Sequence, residues 1–129
     1  MAKIPESHHD LLDAQVATLA TIDEKGFPQL TEVWFVHDEG TVRISLSTGR
    51  YKTRNLQERP QCSLLILDLQ NPYRYLELRG RARIEEDDGS LIERVKEKYQ
   101  ADVREYDAPG ERRLAVTIEP VKVRAVAMG

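Results

Sequence analysis

The sequence predicts a mostly β fold, a small antiparallel barrel of six or seven strands with two or three short helices. Three observations lead there. Val42, Ile44 and Leu46 alternate with Thr41, Arg43, Ser45 and Ser47, the period-two signature of a strand with one apolar face. Turn signals at Asp23-Glu24-Lys25-Gly26, His37-Asp38-Glu39-Gly40 and Asn71-Pro72 cut the apolar segments into short pieces. Helical spacing is confined to brief stretches. Chains built this way close on themselves, because closure removes exposed strand edges.

Taken in order, Glu6 to Asp13 reads as a short helix with Ser7 as N-cap and Leu11 and Leu12 on its buried side. Val16 to Ile22 reads as a strand of small and β-branched residues, and Pro28 to Val36 as its antiparallel partner. With Thr41 to Ser47 these form a three-stranded meander. Tyr51 to Glu58 breaks the alternation and suits a helix stopped by Pro60. Cys62 to Asp68 is almost continuously apolar, as in a strand buried on both faces, and Tyr73 to Ile84 is a long strand with Tyr73, Tyr75 and Glu77 opposite Arg74, Leu76 and Leu78. Ser90-Leu91-Ile92-Glu93 has capping-box spacing and opens a helix through Val95 and Tyr99, with the acids of Glu85 to Asp88 favouring its positive end. Arg113 to Ile118 and Val121 to Ala127 read as two final strands on either side of Pro120.

Composition narrows the function. Residues 1–129 are the length of one domain, and no linker, repeat or low-complexity stretch interrupts them. Nineteen Lys and Arg against 22 Asp and Glu leave a net charge of -3, which argues against a nucleic-acid-coating role. No apolar run approaches the ~20 residues that span a bilayer, and Met1 to Pro5 lacks a secretory pattern, so no membrane partner and a cytoplasmic location are expected. The lone Cys62 excludes an internal disulfide and a thiolate metal site, and reads as a buried, inert thiol. His8 and His9 are adjacent in a helix, so their rings diverge, and His37 reads as solvent-facing; no metal is expected. Nucleophile-elbow, zinc-hydrolase, dinucleotide and Walker motifs are absent.

Three clusters carry candidate chemistry. Ser45-Leu46-Ser47-Thr48-Gly49-Arg50-Tyr51-Lys52-Thr53-Arg54 ends a strand in hydroxyls and a Gly, then starts a helix with three cations. Unpaired N–H groups at a helix start favour an anion, and Arg50, Lys52 and Arg54 add charge-assisted hydrogen bonds, so the segment reads as a phosphate site. The same composition also describes a solvated basic helix paired with neighbouring carboxylates. Gly26 to Trp34 places Gln29 and Thr31 on one strand face, suited to the polar edge of a flat heterocycle or to an ordinary half-buried strand. Tyr73 and Tyr75 share a face that can flank a planar ligand or fill a subunit contact.

Together, Gly26-Phe27-Pro28-Gln29-Leu30-Thr31, Ile44 to Ser47 and Arg50-Tyr51-Lys52-Thr53-Arg54-Asn55-Leu56, followed by Pro60, resemble the pyridoxamine-phosphate-oxidase-like split-barrel superfamily. With Asn71-Pro72-Tyr73-Arg74-Tyr75-Leu76-Glu77-Leu78-Arg79-Gly80 they are most similar to its flavin/deazaflavin oxidoreductase B group, many of whose members bind coenzyme F420. The likeness spans Leu11 to Val126. It implies a homodimer of six-stranded split β-barrels of the FMN-binding type, with cofactors in grooves between subunits. By position, Ser45, Ser47, Thr48, Arg50, Lys52, Thr53 and Arg54 would surround the cofactor's phosphate, and Gln29, Leu30, Thr31 and Leu46 its ring. Tyr75 joins the cofactor set, while Trp34 and Tyr73 belong to the substrate or partner-subunit groove. Glu32 stands where some F420-binding relatives carry a neutral polar residue, and pointing inward it would repel a polyglutamyl tail. The implied activity is F420-dependent reduction of an electron-poor small molecule, without a catalytic side chain. The alternatives are an FMN-dependent oxidase or reductase, and a non-catalytic cofactor- or haem-handling module.

Overall fold

The computed structural model describes residues 2–128. Its strands are β1 (Ala17–Ile22), β2 (Pro28–Val33), β3 (Val36–Asp38), β4 (Thr41–Ser47), β5 (Gln61–Leu67), β6 (Arg74–Glu86) and β7 (Arg113–Ala127). Two α-helices, α1 (Tyr51–Glu58) and α2 (Ser90–Tyr99), and two 3-10 turns, Glu6–Asp13 and Val103–Tyr106, complete the chain. All pairings are antiparallel, and the strands form one sheet in the order β2-β1-β5-β6-β7-β4-β3. No helix among the described residues is long and apolar enough to cross a membrane.

Chain connectivity forces this sheet to curl. Laid flat, seven strands would hold their outer edges roughly 29 Å apart. Yet the edges are β2 and β3, joined only by Trp34 and Phe35, and three residue steps reach at most about 11 Å. The two edges therefore meet without pairing, and the barrel is split there. The turn has a local cause: Phe35 is fully buried in the core, whereas Trp34 stacks on Tyr99 of α2 outside it. A pattern that reads as one strand from Pro28 to Val36 thus becomes two, while the two expected final strands fuse into β7, so the sheet has seven strands where the resemblance implies six. Because β2 joins β1 and β4 joins β7, the expected meander of the first three strands does not form.

Period-two burial does the rest. Leu19, Ile44, Leu64, Ile66, Leu76, Leu78, Val116 and Ile118 point into the barrel with Leu12, Phe35 and Leu56. A second core lies outside the sheet, where Leu91, Ile92 and Val95 of α2 cover Val36, Val103 and Ala115. The strand from Cys62 is not buried on both faces: Cys62, Leu64 and Ile66 are buried, and Ser63, Leu65 and Leu67 turn outward, half-buried. Burial pushes the Cys62 thiol up to about 11, which leaves it protonated and inert at neutral pH.

Several terminal groups differ from expectation. Ser7 does not cap the first turn; its hydroxyl meets His8 Nδ1 at 2.9 Å. The buried His8 donates from Nε2 to the Val126 carbonyl, while His9 reaches the Ile4 carbonyl, so the two rings do diverge. His37 is half-buried, accepting from Gly40 N–H and facing Asp13 at 3.5 Å. The α2 cap is Asp87, not Ser90, its carboxylate taking the N–H groups of Gly89, Leu91 and Ile92.

The last strand is single because a bulge accommodates Pro120. Register shifts between Arg79↔Lys122 and Gly80↔Pro120, leaving Val121 unpaired and exposed. A Cβ on residue 80 would press on the Glu119 carbonyl and lie 2.7 Å from Pro120 Cα, both backbone atoms that cannot yield. Gly80→Ala is accordingly expected to lower unfolding stability by about 2–4 kcal/mol in urea titration.

Candidate functional site

Strand β4 delivers Ser45, Leu46 and Ser47 to its end, and a two-residue turn, Thr48-Gly49, passes to Arg50, the residue that caps α1. The fully buried Thr53 donates to the Ser47 carbonyl at 2.6 Å and locks the helix onto the strand. This fixes where Arg50 and Lys52 project. They line a cleft of about 260 Å³ together with Ser45, Leu46, Ser47, Trp34, Val103, Tyr106 and Arg113. Its apolar side is an aromatic wall. Trp34 lies flat on Tyr99 at 4.3 Å between centroids, and Tyr106 meets it edge-on at 6.5 Å. Tyr99 is held by accepting from Phe35 N–H, which anchors the β2–β3 junction and the wall together.

The cleft's electrostatics distinguish between the two readings of the basic segment. Among the described residues, neither Arg50, Lys52 nor Arg54 has a carboxylate within 4 Å. Arg113 does, pairing with Asp107 at 2.5 Å while donating to the carbonyls of Val103 and Ser45. Burial, and then the neighbouring Arg50 and Arg113, hold the Lys52 ammonium below the ordinary lysine value. The Ser45 hydroxyl is buried with no hydrogen-bond partner. Leaving a buried polar group unsatisfied and gathering like charges both cost free energy that an incoming anion would recover. The residues fit a phosphate-bearing planar cofactor: the cleft offers hydroxyl and cations for a phosphate, and aromatic and aliphatic groups for a ring.

The other expected site residues are dispersed. Arg54 stacks over the Tyr51 ring at 4.7 Å and lines a second cleft of about 390 Å³ with Gln29, Asn55 and Arg59. Gln29 Oε1 accepts from Asn55 Nδ2 at 3.1 Å, so its amide is engaged with the buried network rather than the first cleft. Thr31 shares its face, with a buried, unpartnered hydroxyl, while Leu30 is exposed on the other face. Thr48 Oγ1 accepts from Arg112 N–H, and Ser47 Oγ donates to Glu111. Tyr75 pairs with Leu67 and Val126 and Tyr73 is exposed before the strand; neither lines these clefts. Glu32 reaches the cleft rim, but its carboxylate accepts from Thr18 on β1. Sequence reasoning missed Val103, Tyr106, Glu111 and Arg113. Only the pairing of Ser47 with Arg113 across β4 and β7 reveals the last.

The family model of pyridoxamine 5'-phosphate oxidase matches residues 4–127. The chain belongs to the pyridoxamine 5'-phosphate oxidase family. An F420 reductase structure shares 31% identity with it, over 94% of this chain and 98% of that one, at a TM-score of 0.81. A conserved hypothetical protein from Mycobacterium tuberculosis shares 25% over 95% and 84%, at 0.80. The heme storage protein HutZ from Vibrio cholerae shares 16% over 99% and 98%, at 0.79, a likeness of fold alone. In this split barrel of the oxidase family the cationic cleft lies where strand β4 hands over to α1.

The burial of Lys52, with Arg50 and Arg113 beside it, has a measurable consequence. Its lowered folded-state value means a penalty that is full at neutral pH and relaxes as pH rises through that value toward the unfolded 10.5. Lys52→Met should therefore stabilise the ligand-free protein slightly at pH 7. The gain should shrink toward pH 10 in parallel urea titrations of the two proteins.

Proposed function

We propose that this protein is an F420-dependent reductase acting on an electron-poor small molecule. The observation that carries the reading is the pair of carboxylate-free cations, Arg50 and Lys52, beside the unpartnered Ser45 hydroxyl. It is supported by likeness to an F420 reductase over almost the full length of both chains. Bound reduced deazaflavin supplies the hydride. The chain's own residues do the rest: Arg50, Lys52 and Ser45 hold the phosphate, Leu46 and Val103 keep water from the ring, and Trp34 and Tyr106 set the plane against which an acceptor stacks. No side chain is assigned a catalytic role. FMN would use the same phosphate groups. Haem handling is less well supported: no histidine lines the cleft, and both ring nitrogens of His8 are engaged within the fold.

A homodimer is part of the reading. Leu30, Leu65, Leu67 and Tyr75 share the outward face of β2, β5 and β6, and Tyr73 lies at its end. On this reading the partner subunit covers these apolar side chains and brings its tyrosines toward a shared groove.

Titration of the protein with F420, followed by quenching of Trp34 fluorescence, should show saturable binding tighter than that of FMN. Arg50→Ala with Lys52→Ala should weaken it about 100-fold while preserving the fold. Tighter binding of FMN than of F420 would transfer the reading to the FMN class, and unchanged affinity in the double variant would place the phosphate elsewhere. Gel filtration at micromolar concentration should report a dimer; a monomer would contradict the shared groove.

A further inference from the structure

The hydroxyl at the end of β4 that ought to greet a phosphate is already taken. Ser47 Oγ donates to the Glu111 carboxylate, whose other oxygen accepts from Ala108 N–H at 3.0 Å. The carboxylate is packed directly over the turn: a Cβ on Gly49 would lie 2.6 Å from it. The strap that carries Glu111 is bolted down on either side, Thr48 N–H donating to the Arg112 carbonyl at 2.9 Å and Arg112 N–H to Thr48 Oγ1 at 3.0 Å. A fixed negative charge therefore stands against the turn that leads from Ser47 to Arg50, bonded to the Ser47 hydroxyl of a residue that lines the cationic cleft.

We infer that Glu111 is a specificity residue that penalises a doubly charged phosphomonoester in this cleft more than a singly charged phosphodiester. The inference rests on the phosphate reading of the Arg50–Lys52 cleft. Two cations without carboxylates, Arg50 and Lys52, face any bound phosphate. A diester brings one negative charge, whereas a monoester near neutral pH brings close to two, its second ionisation falling near pH 6. The second charge gains from the cations, but Glu111 repels a doubly charged group about twice as strongly as a singly charged one; the hydrogen bond from Ser47, foremost, holds the Glu111 carboxyl below the ordinary range, so it stays ionised near neutral pH. A charge a few ångströms away at a partly solvated site changes affinity by about tenfold. At the phosphate itself F420 carries a diester and FMN a monoester, so Glu111 would bias the cleft against FMN.

Glu111→Gln tests this while keeping both contacts, because the amide oxygen can accept from Ala108 N–H while its NH2 donates to the Ser47 hydroxyl. Dissociation constants for F420, FMN and riboflavin, which has no phosphate, are measured by Trp34 quenching in both proteins. The expected result is an FMN affinity about tenfold higher in the variant, with F420 changed less than about threefold and riboflavin unchanged. Equal shifts for FMN and riboflavin would make Glu111 a packing element, and equal shifts for FMN and F420 a general latch; either overturns the inference while the phosphate reading stands. A protein that binds F420 and whose FMN-to-F420 ratio is unaltered by the substitution overturns it likewise. Binding of none of the three by the unaltered protein defeats the phosphate reading itself, and this inference with it.

Discussion

A half-buried ammonium with cations for neighbours and no carboxylate within 4 Å is a costly thing to fold around. Lys52 is held in that position by the chain's own geometry. Thr53 locks α1 to the end of β4, and the Thr48-Gly49 turn leaves no room to swing the helix away. Fold and site are linked through this one constraint. The barrel exists to terminate β4 beside β7, and that termination aims Arg50 and Lys52 into a cleft where Arg113 adds a third charge but is itself matched by Asp107.

The aromatic wall depends on a different part of the same closure. The two edges of the sheet meet through Trp34 and Phe35, and those two side chains go to opposite sides, Phe35 into the barrel and Trp34 onto Tyr99. The split between β2 and β3 thereby becomes the flat side of the cleft. One junction closes the barrel and furnishes a surface for a planar ligand, which is why cations and aromatics that are far apart in sequence come together.

Much of this was legible in the sequence where the signals are local. The alternation through Thr41 to Ser47 and the helix from Tyr51 to Glu58 appear with the bounds expected of them, because a pattern break, a Gly and a Pro mark both. The cations at Arg50 and Lys52 and the hydroxyl at Ser45 announced themselves by residue type. The kink at Trp34-Phe35 did not, since two aromatics prolong an apolar strand pattern and give no sign that they face opposite ways. Pro120 misled in the other direction: it looked like a strand end, and only the glycine opposite it, Gly80, lets a bulge carry the strand through. Arg113, Tyr106 and Glu111 reach the site by pairing and packing across more than fifty residues, which no window along the chain can register.

The most direct measurement is a nuclear magnetic resonance titration of the Lys52 side chain, alone and saturated with F420. If Arg50 and Lys52 hold a phosphate, the free protein should show Lys52 ionising below 10.5, and the ligand should carry it upward as its charge replaces water and offsets the neighbouring cations. A Lys52 that titrates at the ordinary value and does not respond to saturating ligand would contradict the phosphate assignment.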